Sequence, residues 1–406
     1  MKKIFITITA IVSIALAVFF GWYLFLRNSD IPTGVAIRDI LPFGSQDNTQ
    51  LITDDERRTT EADSQISDEF GNPTANLFRL SNTPVAGAVI IDKEDQTVVR
   101  YVDRATGHIY DANLATLEKT RVTNNTLPKI YEAYFRSDGN AVLLRSLKDD
   151  SDVVENLSLT LTPPKATSTL YAVSSTSLRG NMSAVASGSG NVLFYVLKDT
   201  ASIVTSAFNG APARTLFSSP FTNWQLAAAG NSLIVYTKAS ANASGFAYTL
   251  NTSNGAFVKI LGPLNGLIAI PNTLGNRALY SYVENNETKL FAKNLANGSL
   301  SEILPATLAE KCVWSARNAG VLFCGVPTDG PASGEPDNWY RGATRFSDRI
   351  WFFNTNSDVA KVLAEPRQSL RIDIDVVEPK LSPNEDYLVF INKTDLSLWA
   401  LRLEAF

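Results

Sequence analysis

The chain has 406 residues, with 36 Lys and Arg against 40 Asp and Glu, two Cys and one His, so no multi-histidine metal cage or histidine relay can be built from it. At 45% hydrophobic and 19% charged it has a globular composition, long enough for two ordinary domains or one large all-β domain. Residues 1–27 carry three bases and no acid, residues 28–75 ten acids and three bases, and residues 76–406 thirty of each, a neutral body without the basic footprint of a nucleic-acid binder.

Residues 4–26 contain no charge, and a helix of that length spans roughly 34 Å, enough to cross a bilayer. They are predicted to form a membrane anchor over residues 1–27. Lys2 and Lys3 precede the apolar run and only Arg27 follows, which predicts a cytoplasmic amino terminus and an extracytoplasmic body. Trp22 and Tyr23 fall where the outer headgroup layer would be. A cleavable signal peptide is the alternative, with Ala15-Leu16-Ala17 as its small-x-small site, although the apolar run is longer than such peptides need. Residues 28–75 are polar and acidic and read as a flexible stalk. Within it, residues 35–44 are more apolar than their surroundings and could dock on a partner or on the body.

From Asn76 onward, short β-rich runs alternate with clusters of Gly, Asn, Asp, Ser and Pro. Two strands and their turn recur clearly at residues 134–144, 313–323 and 380–390, and more weakly at 90–101, 184–194, 226–236 and 268–280. Third strands follow each, at 108–113, 157–162, 203–208, 245–250, 289–294, 350–354 and 398–403. Seven units over residues 76–406 average about 47 residues, the length of four-stranded propeller blades. The predicted fold class is an all-β, seven-bladed β-propeller, with six or eight blades as alternatives. The last unit lacks a fourth strand, and Asn76-Leu77-Phe78-Arg79-Leu80 looks like the missing one, which predicts that the two ends of the body share a blade and close the ring.

An apolar residue, Ser, a short turn with Asp, Asn or Gly, then an apolar strand, as around Ser137, Ser315 and Ser382, resembles the WD-like propeller repeats of the TolB type found in bacterial envelope proteins. The resemblance covers residues 76–406 in architecture. It implies a propeller in the cell envelope used for protein or ligand recognition, and it supplies no catalytic residue. There is no Trp-Asp pair, so the hydrogen-bonded tetrad of eukaryotic WD repeats is not expected.

Cys312 and Cys324 lie on consecutive strands at equal distance from Asn318, so a regular hairpin would set them opposite each other. They are either a disulfide or two small buried core residues. Residues 327–347, inserted between the second and third strands of the sixth unit, are the largest departure from the repeat. Asp337, Trp339, Tyr340 and Arg341, followed by Arg345, Asp348 and Arg349, mix the residue types that dominate binding hot spots. The loop is expected to cover the mouth of the channel and bind an envelope protein or cell-wall component, or else to be pinned to its own blade by Trp339 and Tyr340. His108, without a second His or a nearby Cys, reads as a strand residue, and Asp92, Glu94 and Asp95 as a solvated hairpin tip. Asp373 and Asp375 share a strand face. A glycan-acting hydrolase or lyase, with Asp337, Asp348 or Asp373 converging at the channel mouth, is the alternative function. No phosphate loop, serine elbow, zinc spacing or cofactor motif is present.

Overall fold

The computed structural model describes residues 76–148, 153–165, 170–229 and 232–404. The expected anchor, stalk and apolar patch at residues 35–44 lie outside them. No helix among the described residues is long and apolar enough to cross a membrane.

Seven antiparallel four-stranded sheets make up the body, which is a seven-bladed β-propeller. Six blades are uninterrupted in sequence, with innermost strands Val85–Lys93, Ile130–Phe135, Met182–Ser187, Trp224–Ala229, Ile268–Pro271 and Cys312–Trp314. The seventh joins Val376–Leu381, Tyr387–Asn392 and Leu398–Arg402 to the amino-terminal strand Leu77–Ser81. Leu77 pairs with Leu401 and Phe78 with Ala400, so main-chain hydrogen bonds fasten the ring where its two ends meet.

The innermost strands of neighbouring blades pack on one another around the axis, the seventh on the first, except that between blades five and six the short turn Ala309–Lys311 packs on Ile268–Pro271. The approach is close between blades one and two. A Cβ on Gly87 would lie 2.1 Å from the Ala133 carbonyl oxygen, so only glycine fits there.

Burial explains the strand patterns. Second strands such as Val321–Pro327 are buried on both faces between neighbouring blades and read as continuous apolar runs. Fourth strands such as Lys119–Arg121 are exposed along their length, which is why they were faint in the sequence. The core is accordingly a set of layers between blades. One of them joins Leu143 of blade two to Met182, Tyr195 and Phe208 of blade three.

Polar side chains staple adjacent blades. Buried Arg100 donates to both oxygens of Asp111, at 2.7 and 2.8 Å, and to the Gly139 carbonyl of the next blade at 3.0 Å. Glu385 accepts from Ser315 Oγ and Ala316 N, both at 2.7 Å, across blades six and seven. Lys380 reaches the Ala88 carbonyl at 2.7 Å, linking blade seven to blade one.

The repeat motif has a physical cause in two of its three clear copies. Ser315 Oγ accepts from Asn318 N at 2.8 Å and Ser382 Oγ from Tyr387 N at 3.0 Å, each holding its turn. The third copy is out of register. Phe135 pairs with Val142 as Trp314 pairs with Leu322, so Arg136, not Ser137, occupies the serine position. There Asp138 holds the turn, accepting from Asn140 N at 2.9 Å.

Candidate recognition face

In each four-stranded meander the second-to-third-strand connection and the links between blades emerge on one face, opposite the two remaining turns. The insertion in blade six lies between Val321–Pro327 and Asp348–Asn354 and therefore rises on the face of the inter-blade links. Its base is closed by Thr328 N donating to Ser347 O at 2.8 Å. At its tip a single helical turn, α1 (Asp337–Tyr340), carries the aromatic residues.

Those residues point inward. Trp339 is only 3% exposed, and its indole N–H donates to both oxygens of Asp375 in the link to blade seven, at 3.0 and 2.8 Å. The Lys311 ammonium, fully buried, sits 4.9 Å from the Trp339 ring and 5.1 Å from that of Phe346. It donates to Asp375 at 2.5 Å, to the Val376 carbonyl at 3.0 Å, and pairs with Asp348 at 2.8 Å. Lys393, from blade seven, covers the outer side of the indole at 4.6 Å and bonds the Trp339 carbonyl. Asp337 accepts from Ala241 N in blade four at 2.6 Å, and Tyr340 donates to Glu310 at 2.6 Å. The insertion is thus a lid tied to blades four, six and seven, stitched by charge-assisted bonds in a dry setting.

Burial sets the titration of this cluster. Desolvation pushes the Glu310 carboxyl up to about 7, against the opposing pull of the Tyr340 hydroxyl and of Lys311 and Lys393. Desolvation likewise raises Asp348 to about 6 despite Lys311 beside it. Asp348 Oδ1 and Glu335 Oε1 find no hydrogen-bond partner among the described residues.

Trp339 and Asp348, named among the binding candidates, are both buried inside the lid, where indole and carboxylate satisfy Asp375 and Lys311. Asp337 and Tyr340 are half-buried and committed to Ala241 and Glu310. Arg341 and Arg345 are exposed, with Arg341 donating to Asn338 at 2.7 Å. Arg349 pairs with Glu365 at 3.3 Å. Asp373 accepts from Ser347 at 2.8 Å and is exposed, whereas Asp375 is buried and serves Lys311 and Trp339. The acids named for glycan chemistry, Asp337, Asp348 and Asp373, each bond a different partner. Sequence reading missed Glu310, Lys311, Glu335 and Lys393; a lone base in an inter-blade link carries no signal until the lid is placed over it.

Beside the lid cluster, Cys312 and Cys324 are directly paired in register, with Cα atoms 4.1 Å apart, and their sulfurs are bonded. His108 accepts from Arg121 at 2.6 Å and lies 3.1 Å from the Thr126 hydroxyl; burial first, then Arg121, lower its pKa. Glu94 and Asp95 adopt positive φ at a hairpin tip. No group of three or more His, Cys, Asp or Glu within reach of a common metal ion occurs among the described residues.

On the same face, a cleft of about 600 Å³ opens between blades two and three. Leu127, Ile130, Leu144, Leu157 and Leu178 form its apolar walls, and Asn156, Asn181, Glu155 and Asp199 its polar part. It is assembled from the links on either side of blade two, from strand ends of that blade and from a turn of blade three that carries Asp199, so its members are scattered from residue 127 to residue 199. Asn156 is 2% exposed; its amide nitrogen donates to the Gly180 carbonyl at 3.1 Å, while Oδ1 has no partner among the described residues.

No family model matches the chain, and no curated protein does. Solved structures do align with it. Oligogalacturonate lyase from Vibrio parahaemolyticus is 11% identical, with 81% of this chain and 93% of that one covered and a TM-score of 0.52. A hydrazine synthase of Kuenenia stuttgartiensis is 10% identical over 80% and 97% of the two chains, with a TM-score of 0.51. TolB from Acinetobacter baumannii also aligns, 11% identical over 78% and 79%, with a TM-score of 0.43. At such identities the likeness defines a class by fold alone: this chain is a seven-bladed propeller.

Proposed function

We propose that the protein is a recognition module that binds a protein or ligand of the cell envelope on the face bearing the lid and the cleft, with residues 4–26 anchoring it and the body held outside the cytoplasm. The observation that carries the reading is the cleft between blades two and three. Its volume lies within the roughly 300–1,000 Å³ of ligand sites, and its walls are built largely from leucine and isoleucine side chains. The uncharged run of residues 4–26 behind Lys2 and Lys3 supports the placement. The alternative, glycan cleavage, asks for converging carboxylates, whereas Asp337, Asp348 and Asp373 go to Ala241, Lys311 and Ser347.

One experiment tests face and placement together. Ser177→Cys in the cleft and Leu274→Cys on the opposite face are exposed positions. Both are labelled on intact spheroplasts with a membrane-impermeant, photoactivatable maleimide; the native cysteines are buried and bonded. Adducts formed after illumination from position 177 and not from 274 are expected. Labelling only after lysis overturns the placement, and adducts only from 274 overturn the face.

A further inference from the structure

The lid is fastened to the ring by single bonds. The ladder of blade six, Val321–Pro327 against Asp348–Asn354, ends at the pair Pro327 and Asp348, and no strand lies in residues 328–347. Beyond that rung, Trp339 and the Phe346 amide hold Asp375, Tyr340 holds Glu310, Asp337 holds the Ala241 amide and Lys393 the Trp339 carbonyl. A segment tied in this way can open while the strands beneath it stay paired. Its charges do not balance. Under the lid, the carboxyl groups of Glu310, Glu335, Asp337, Asp348 and Asp375 are answered by two ammonium groups, those of Lys311 and Lys393. Asp348 and Asp375 share Lys311 in full burial, at 2.8 and 2.5 Å. Asp375 has donors on both oxygens, whereas Asp348 has them on Oδ2 alone, from Lys311 and from Val376 N at 2.7 Å. Asp348 Oδ1 has no partner among the described residues and is closed to solvent, so a proton can answer it and a ligand cannot. Glu310, half-buried, accepts from Tyr340 of the lid and faces Tyr236 of blade four, Lys311 and Lys393.

We propose that the lid is a proton-dependent latch. Asp348 and Glu310 keep it closed when protonated, and loss of their protons opens it while the blades stay folded, which uncovers Trp339, Phe346 and the Lys311 ammonium. Closed, the lid keeps both carboxyls from water, and desolvation holds Glu310 at about 7 and Asp348 at about 6 even with Lys311 beside them. Open, both are hydrated and ionise as ordinary carboxyls. The closed state therefore binds more protons: it is favoured below about pH 6 and yields as pH rises through about 6 to 7. The latch does not depend on what the cleft binds.

The test is limited trypsin proteolysis of the full-length protein in detergent at about pH 5.5 and about pH 8, referenced to the rate on an unfolded peptide of residues 336–350. Arg341 and Arg345 lie on the lid, and the protease cuts beside them once the segment opens. The referenced rate at these two sites is expected to rise at least about tenfold between the two pH values, leaving a nicked propeller that elutes as one folded species. In the Glu310→Gln/Asp348→Asn protein, which has no such protons to lose, the ratio of the two rates should fall to about one. If that variant does not fold, Glu310→Gln at its half-buried position decides, and should lower the ratio at least about threefold. A ratio near one in the unsubstituted protein overturns the latch, as does an undiminished ratio in the substituted one. Cuts in other blades appearing at the same rate overturn it too, because the opening would then be unfolding of the whole ring.

Discussion

The two polar centres on this face are built oppositely. Under the lid, Lys311 has three acceptors and Asp375 takes donors from Lys311, Trp339 and Phe346, so the long insertion has been spent on closing a charge cluster. Between blades two and three there is no insertion of comparable length over the cleft, and its apolar walls face open space. The longest loop in a propeller is therefore not by itself its binding loop. Hot-spot residue types sit equally well in a buried plug, because Trp and Arg suit any place where apolar surface and a fixed hydrogen bond coincide.

The sharpest way to break the contrast is to remove the buried cation. Lys311→Met leaves Asp348 and Asp375 buried together without a counter-charge, and is expected to cost about 3–5 kcal/mol in chemical denaturation while leaving the geometry of the cleft intact. A loss below about 1 kcal/mol would mean that the cluster does not hold the lid.

A second, smaller effect comes from pH. Glu310 and Asp348 have folded-state values raised to about 7 and about 6, above those of the unfolded chain, so the folded protein binds more protons in that interval. Their contribution is complete below about pH 4 and is lost as pH rises through about 6 to 7. Stability should therefore fall by roughly 1–3 kcal/mol between about pH 4 and about pH 8. The Glu310→Gln variant should show a flatter profile, and an unchanged slope would remove Glu310 from the account.

The smallest effect belongs to the residues that most resembled a binding patch. Arg341 and Arg345 lie on the outside of the lid, so replacing both with Ala should change stability by less than about 0.5 kcal/mol. Adducts formed from position 177 should be untouched. Their loss would return the lid's outer surface to the recognition site.

Much of the fold was legible because it is periodic. Second strands buried on both faces, as at residues 321–327, print as apolar runs, and turns held by Ser315 or Ser382 print as a motif. The unit with Arg136 in the serine position shows the limit, since a neighbouring serine was enough to mislead the alignment by one residue. The lid's position was legible from its length, while the direction of Trp339 was not.

By itself the sequence determined what is local and repeated: the four-stranded unit and its approximate copy number, the turns held by Ser315 and Ser382, and the opposition of Cys312 and Cys324 across a hairpin. Only the tertiary structure decided what depends on residues far apart in the chain. Lys311 meets Asp375 across 64 positions, and the cleft gathers residues 127 to 199 from two links, blade two and a turn of blade three. A local pattern is enforced by backbone periodicity at short range. A charge or an unpaired amide acquires its meaning from the dielectric and the partners around it, which exist once the ring has closed.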